Sequence, residues 1–250
     1  MLEHETTPGV GVTADELVRQ FRQGKLVDPS FPLHYDRHGL QLMVSPDGPE
    51  ELGQQPLRVD FVSDPRFRQP LRVSEPLARA VGLGKGQRPH VGDLSAGLGR
   101  DAWALASAGC RVEARERHPV IAALLADGLA RARADAATRA IAERIDLVFG
   151  EAAGLLADPP PVLLFDPMFP ERQKSALVKR AMRLFRQLVG EDPDAGAVLA
   201  AALQSGCRRV VVKRPRHAPE LGGITPTHVI HGTRLRFDVY LPTPVQRSSG

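Results

Sequence analysis

From about residue 74 onward, short apolar runs alternate with longer stretches of helical periodicity. We predict strands at 90–94, 111–116, 145–149, 162–165, 209–213, 227–230 and 235–241. We predict helices at 75–81, 101–108, 120–133, 153–157, 173–189 and 195–205. Such alternation is typical of βαβ units, in which helices connect buried parallel strands. The pattern therefore predicts an α/β fold with a seven-stranded, mostly parallel sheet and helices on both faces.

The first 73 residues follow a different pattern, which we interpret as a small N-terminal α+β region, rich in strands. Thr13-Ala-Asp-Glu16 is a capping-box pattern that predicts a short helix. Segments 40–44 and 57–62 alternate in hydrophobicity as strands do. We therefore predict a boundary between this region, residues 1–73, and a Rossmann-like domain, residues 74–250.

Composition changes this picture little. The chain has 250 residues, of which 42% are hydrophobic and 25% charged, as is usual for soluble globular proteins. The N-terminus lacks the pattern of a signal peptide and no run of 18 apolar residues occurs, so we expect a cytoplasmic protein without a membrane partner. The two cysteines, Cys110 and Cys207, lack zinc-ligand spacing, and no metal is expected. A net charge of +4 is compatible with a polyanionic partner.

A glycine-rich turn follows the first predicted strand. Asp93 ends that strand, Gly97 and Gly99 form the turn, and Asp101 opens the next helix. Glycines let the backbone approach a ligand closely, and a helix N-terminus offers unpaired N–H groups. Glu116 ends the second strand, about where an acidic residue binds ribose hydroxyls in dinucleotide-binding folds. These residues predict a nucleoside-binding crevice.

The identity of the nucleoside is a separate question, because dehydrogenases and methyltransferases share such turns and a tight turn needs no ligand at all. This turn lacks the third glycine of the dinucleotide fingerprint, since Ala102 or Trp103 stands near its place. Carboxylates repel a pyrophosphate but attract the sulfonium and ammonium of S-adenosylmethionine. Asp93 and Asp101 therefore favour S-adenosylmethionine as the cofactor.

The fourth predicted strand ends in Asp166-Pro167-Met168-Phe169-Pro170. This run resembles the Asp/Asn-Pro-Pro-aromatic signature of methyltransferases that modify amino groups of nucleic acids. In that signature an oxygen of the side chain and a backbone carbonyl accept the two amine hydrogens, and the aromatic ring stacks on the base. An ordinary proline-rich loop is the alternative. We predict Asp166, Pro167 and Phe169 as the catalytic residues.

Basic residues follow this turn. One narrow arc of the helix predicted after this turn carries Arg172, Lys179, Arg183 and Arg186, with leucines on the opposite side. Basic residues also end the fifth strand, at the same edge of the sheet. A solvated helix surface is the alternative, but contact with RNA phosphates is a natural use. The predicted RNA contacts are Arg172, Lys174, Lys179, Arg183, Arg186, Lys213 and Arg214.

Taken together, these motifs resemble the RsmJ (YhiQ) family, the 16S ribosomal RNA guanine-N2 methyltransferases. The resemblance runs from about Val59 to Tyr240. Its most specific stretches are 93–101, 116–120 with 123–125, 166–170, 173–179 and 209–215.

The resemblance implies a class I S-adenosylmethionine-dependent methyltransferase that releases S-adenosylhomocysteine. Its substrate would be the exocyclic N2 of a guanine near the 3′ end of 16S ribosomal RNA, an m2G1516-type site, free or in the small subunit. Where the family has small hydroxyl residues facing the adenine, this chain has Glu151 and Ala152. The cofactor contacts implied or predicted are Asp93, Gly97, Gly99, Arg100, Asp101, Glu116, Arg117, Glu151, Ala152 and Asp166.

Two other classes of function remain open at this point. One is a methyltransferase that acts on another nucleic-acid amino group, a protein or a small molecule. The other is a non-catalytic nucleotide-binding module or a dehydrogenase. The residues do not indicate an oligomeric state.

Overall fold

A computed structural model describes residues 16, 18–19, 32–43, 56–168, 190 and 192–242. Its main element is a seven-stranded sheet in the order β5-β4-β3-β6-β7-β9-β8. All neighbouring strands are parallel except β9, which is antiparallel to both β7 and β8. The strands are β3 (Val91–Asp93), β4 (Val112–Glu116), β5 (Ile145–Phe149), β6 (Val162–Phe165), β7 (Arg209–Pro215), β8 (His228–His231) and β9 (Leu235–Tyr240).

Helices cover both faces of this sheet. Within β6, Val162 and Leu164 pack into one hydrophobic cluster, whereas Leu163 and Phe165 pack into a second one. Successive residues of a strand point to opposite faces, so the two clusters lie on opposite sides of the sheet. The first cluster contains residues of α1 (Pro76–Val81), α2 (Arg100–Ser107) and α3 (Pro119–Ala134), and the second contains residues of α5 (Ala153–Leu156) and α6 (Ala195–Gln204).

From residue 74 onward, the described α-helices and strands agree with the predicted ones within a few residues, with two differences. A short helix, α4 (Arg139–Ala142), was not predicted. Strand β7 continues two residues beyond its predicted end, because Arg214 and Pro215 gain partners on antiparallel β9. The helix predicted at 173–189 lies outside the described residues.

The N-terminal region contributes one hairpin, β1 (Leu33–Asp36) and β2 (Gly39–Leu42). It docks on α3 through Asp127, whose buried carboxylate accepts bonds from the Leu40 N–H, at 3.0 Å, and from Arg131 Nε, at 2.9 Å. Of the helix predicted near the capping box, Glu16, Val18 and Arg19 are helical and the rest lies outside the described residues. The boundary predicted at residue 73 remains a prediction, but one hydrophobic cluster contains residues from both sides of it.

The strand predicted at 57–62 is wrong. Only Leu57 pairs with a strand, through two backbone bonds to Leu42 of 2.8 and 2.9 Å. The Asp60 carboxylate accepts the N–H groups of Val62 and Ser63, and these bonds turn the chain out of a ladder. The alternation of hydrophobic and polar residues in this segment thus reflects which side chains are buried, and not the pairing of a strand. None of the helices in the described part of the chain has the length and hydropathy of a membrane span.

Candidate active site

The candidate site lies at the carboxyl edge of the sheet, where the strand order reverses. From β3 the chain crosses to β4 on one side, whereas from β6 it crosses to β7 on the other. The loops that follow β3 and β6 therefore diverge and leave a crevice between them. A cleft of about 450 Å³ opens at this point. Its lining includes the predicted residues Asp93, Gly97, Arg100, Asp101, Glu116, Arg117, Glu151, Ala152, Asp166, Pro167, Lys213 and Arg214.

Glu116 is joined directly to the glycine-rich turn. One of its carboxylate oxygens accepts the N–H of Gly97 at 2.8 Å, and the other accepts the N–H of His118 at 2.8 Å. Burial raises the pKa of Glu116 to about 7, against the lowering effect of these two bonds. Each carboxylate oxygen has a further lone pair for a ligand hydroxyl, so the ribose contact predicted for Glu116 is compatible with this geometry.

Gly99 differs from the cofactor contact that was predicted. It caps α2 with a φ of 75° and faces the hydrophobic core instead of the cleft. A Cβ atom at this position would lie 2.4 Å from Leu125 Cδ1 and 3.1 Å from Phe61 Cζ. The glycine is therefore required for the close packing of α2 against α3, as well as for the left-handed backbone.

Asp93 is the most deeply buried acid of the cleft, with 2% of its surface exposed. Burial, together with repulsion from Asp101 and Asp166, raises its pKa to about 8. The N–H of Ser95 donates to Asp93 Oδ1 at 3.1 Å and opposes that rise. A cationic ligand at this position would favour the ionised carboxylate.

Lys213 pairs with two acids of the cleft, a contact that was not predicted from the sequence. Its ammonium lies 2.7 Å from Asp101 Oδ2 and 2.8 Å from Asp166 Oδ2, and 16% of its side chain is exposed. Both carboxylates raise the pKa of Lys213, against the effect of burial. A phosphate contact of the kind predicted for Lys213 would have to break both ion pairs. The available signal was its position at the end of β7, on the same edge of the sheet as Asp166.

The turn after β6 is fixed by two side chains from elsewhere. The N–H of Asp166 donates to Ser95 Oγ at 2.8 Å, and the N–H of Met168 donates to Asp192 Oδ2 at 2.7 Å. Asp192 also pairs with Arg117, which in addition lies 3.0 Å from Asp194. Asp192 was not predicted, because it follows the helix predicted at 173–189 and belongs to no motif of the sequence.

Arg214 also differs from its predicted role. Only 3% of its surface is exposed, and burial lowers its pKa, although Asp238 opposes this effect. Arg214 would have to turn outward to reach an RNA phosphate. Outside the described residues lie the predicted catalytic residue Phe169 and the predicted RNA contacts Arg172, Lys174, Lys179, Arg183 and Arg186.

Residues 57–67, here called the wall segment, form one side of the cleft. Asp64, Arg66 and Phe67 are among its lining residues. Phe61 stacks on Trp103 of α2 with ring centroids 4.2 Å apart, and the indole N–H of Trp103 donates to the Phe67 carbonyl at 3.2 Å. Treating residues 1–73 as a separate region concealed this wall. The start of the family resemblance near Val59 was the signal that could have revealed it.

The charges of the cleft favour one class of ligand. Asp93, Asp101 and Asp166 meet at its floor with the ammonium of Lys213 between two of them. Even with Asp93 protonated, these groups carry a net negative charge. Such a floor attracts a cationic sulfonium or ammonium and repels a pyrophosphate. The residues present therefore fit S-adenosylmethionine better than a dinucleotide.

Comparisons with known proteins agree with this assignment. A family model described as a putative SAM-dependent methyltransferase matches residues 17–242. Ribosomal RNA small subunit methyltransferase J of Pseudomonas fluorescens is 47% identical over 224 residues, which are 86% of this chain and 84% of that protein. The protein of the same name from Thioalkalivibrio sulfidiphilus is 51% identical over 215 residues, 82% of each chain.

A solved structure extends the agreement to the fold. The crystal structure of a SAM-dependent methyltransferase from Neisseria gonorrhoeae superposes with a TM-score of 0.69 at 33% identity, covering 95% of this chain and 96% of the other. The predicted fold class and the predicted cofactor are thereby confirmed. The chain belongs to the ribosomal RNA small subunit methyltransferase J family of S-adenosylmethionine-dependent methyltransferases.

Proposed function

We propose that this methyltransferase modifies the exocyclic N2 of a guanine near the 3′ end of 16S ribosomal RNA. The observation that carries the proposal is the position of Asp166, which directly follows β6 and lines the same cleft as Glu116 and Asp101. An amine acceptor and the acids suited to the cofactor thus share one cavity. The relatives named as small-subunit ribosomal RNA methyltransferases support this substrate, and such a substrate implies a cytoplasmic enzyme.

The cofactor residues follow from the geometry of the cleft. Glu116 would receive the ribose hydroxyls, and the acids of the floor would face the cationic end. Ala152, which is buried and lines the cleft, would pack beside the adenine. S-adenosylmethionine supplies an electrophilic methyl group on a positively charged sulfur.

Asp166 is suited to activate an aromatic amine. The lone pair of such a nitrogen is delocalised into the ring, so the amine needs acceptors that hold its hydrogens and relieve the developing positive charge. Among the described residues, Lys213 bonds to Oδ2 of Asp166, and Oδ1 is left to accept an amine hydrogen. The Pro167 carbonyl would be the second acceptor. The surplus proton of the amine would pass to Asp166 or to water.

RNA binding would rely on basic residues around the cleft. The net charge of +4 suits a polyanionic substrate. The basic face of the segment 172–186 remains a prediction from the sequence. Within the described residues, Arg66 lines the cleft and is paired with Asp64, but 61% of its side chain is exposed. It is therefore better placed to meet a phosphate than the largely covered Lys213 or Arg214.

The test compares Asp166→Ala with Asp158→Ala, a matched change of an exposed aspartate in the loop before β6. Single-turnover transfer of labelled methyl to 16S ribosomal RNA or small subunits should fall by about 10²–10³ for Asp166→Ala and remain normal for the control. RNA affinity should stay within about twofold in both, because phosphate contacts supply most of it. Asp166→Asn, which keeps an acceptor oxygen, should fall between the two.

Two results would contradict the proposal. Near-normal rates for Asp166→Ala would exclude Asp166 as the amine acceptor. Mass-spectrometric mapping that finds the new methyl group anywhere other than guanine N2 would exclude the substrate, whatever the behaviour of the variants.

A further inference from the structure

The shared lysine at the floor of the cleft carries a further inference. Lys213 comes from the end of β7, Asp101 from the first turn of α2, and Asp166 from the turn after β6. The ammonium of Lys213 joins the side chains of all three elements, because it lies 2.7 Å from the Asp101 carboxylate and 2.8 Å from the Asp166 carboxylate. Among the residues that the structure describes, this pairing engages Oδ2 of Asp166 and leaves Oδ1 available.

We propose that Lys213 is a positioning residue for methyl transfer, which holds Asp166 for the target amine and links it to the cofactor helix through Asp101. The inference rests on the proposed function, since it assumes that Asp166 accepts the amine. A lysine ammonium has three donors, so two can serve the carboxylates at once. Loss of the ammonium would free Asp166 to turn and would remove the link to α2.

The surrounding charges make the cation necessary. Three acids act on Asp166: Asp93 from β3, Asp101 from α2, and Asp192 from the segment before α6. Burial and these acids raise the pKa of Asp166, whereas Lys213 lowers it. Water reaches 42% of the Asp166 side chain and limits the effect of burial. Without Lys213, the pKa of Asp166 would rise further, and more of the carboxylate would be protonated at a given pH and unable to accept a proton.

The alternative role, a phosphate contact, makes different demands. A phosphate-binding lysine is normally exposed and free to move. Only 16% of the Lys213 side chain is exposed, and its ammonium pairs with both Asp101 and Asp166. Loss of a phosphate contact weakens RNA binding and reduces its salt dependence. Loss of a positioning residue lowers the rate at saturating RNA and changes its pH dependence. The two roles can therefore be separated by measurement.

The experiment measures single-turnover methyl transfer on small subunits at saturating cofactor and RNA from pH 6 to 9. Lys213→Met should lower the rate 10–100-fold and move the acidic limb of the pH profile to higher pH. Lys213→Arg should restore the position of the limb and part of the rate. Lys85→Met, a change of an exposed lysine in the loop before β3, is the control and should behave as the wild type.

Several outcomes would overturn the inference. An unchanged saturating rate and limb, with weaker RNA binding and a salt slope reduced by about one, would make Lys213 a phosphate contact. If Lys213→Met fails to fold, Asp101→Asn tests the same link. Asp101 raises the pKa of Asp166, so its loss should move the acidic limb of the pH profile to lower pH. An unmoved limb there would also refute it. If the wild type does not methylate guanine N2, the proposed function fails first; if it does and Lys213→Met keeps the full rate, only this inference fails.

Discussion

Replacing Asp93 by asparagine should stabilise the cofactor-free enzyme while weakening its binding of S-adenosylmethionine. Asp93 is almost fully buried, and its pKa is raised to about 8 by burial and by neighbouring acids. The folded protein therefore retains a proton that the unfolded chain releases at much lower pH. Because the folded state binds more protons, the stability falls as the pH rises from the pKa of Asp93 in the unfolded chain toward its folded-state pKa of about 8. Asparagine removes this dependence and can still accept the Ser95 N–H.

The size of the stabilisation by Asp93→Asn follows from the difference between the folded-state and unfolded-state pKa values of Asp93. Each pH unit between the two pKa values costs about 1.4 kcal/mol, so the advantage of asparagine should grow by roughly 3 kcal/mol between pH 5 and pH 7. For a chain of this size, 3 kcal/mol corresponds to a rise in Tm of about 6–12 °C. Binding should change in the opposite direction, because a cation loses a buried carboxylate. We expect the cofactor affinity to fall by at least about tenfold, or roughly 1.4 kcal/mol.

Chemical denaturation at pH 5 and pH 7 and calorimetric titration with S-adenosylmethionine would test both effects. The matched control is Asp146→Asn, in which the aspartate lies on β5 with 52% of its side chain exposed. Its effect on stability should stay within about 0.5 kcal/mol at either pH. Equal destabilisation of Asp93→Asn at both pH values would refute the argument from burial. Normal cofactor affinity would refute the role of Asp93 as a cofactor acid.

The remaining predictions concern the glycine-rich turn and its acid. Glu116→Ala should weaken S-adenosylmethionine binding by about 10–100-fold, since a charge-assisted bond to a buried hydroxyl contributes roughly 1.5–3 kcal/mol; calorimetry measures it, with Glu113→Ala on the same strand as control. Gly99→Ala should destabilise the fold by about 2–4 kcal/mol, through left-handed strain and crowding. Gly86→Ala has the same φ of 75° but no atom within 4 Å, so it should cost only about 1 kcal/mol.

Each comparison has an outcome that contradicts it. Equal losses of affinity for the two glutamate variants would mean that the effect comes from the strand and not from a ribose contact. Equal losses of stability for the two glycine variants, measured by denaturant titration, would mean that crowding at Gly99 contributes nothing.

The parts of the fold that depend on local sequence were predicted well. The run Val162–Phe165 is apolar at every position because a central parallel strand is buried on both faces, so the pattern located it correctly. Asp93, Gly97 and Glu116 were placed in one cleft because turns at the ends of parallel strands share an edge. Both inferences need only a short window of sequence and a known direction of the strands.

The parts that depend on distant pairing were not predicted. Lys213 lies 112 positions from Asp101 and 47 from Asp166, and no local pattern distinguishes such a lysine from one that faces solvent. Leu57, Val59 and Phe61 alternate as a strand would, yet only Leu57 pairs with a strand, and all three are buried by packing on the core. The period of the hydrophobic residues therefore indicates which side chains are buried. It does not show whether the backbone pairs with another strand, which only the structure reveals.

The contact between the wall segment and α2 gives the protein a built-in optical reporter. Trp103 is the sole tryptophan of the chain, lies four residues beyond the Gly99 cap, and is sandwiched against Phe61 with 2% of its surface exposed. Its emission should therefore be that of an indole in an apolar environment, and it should shift to longer wavelength when the wall segment leaves the helix. Fluorescence of the unlabelled enzyme can thus report whether the wall segment keeps its contact with α2 when the cofactor or RNA is added.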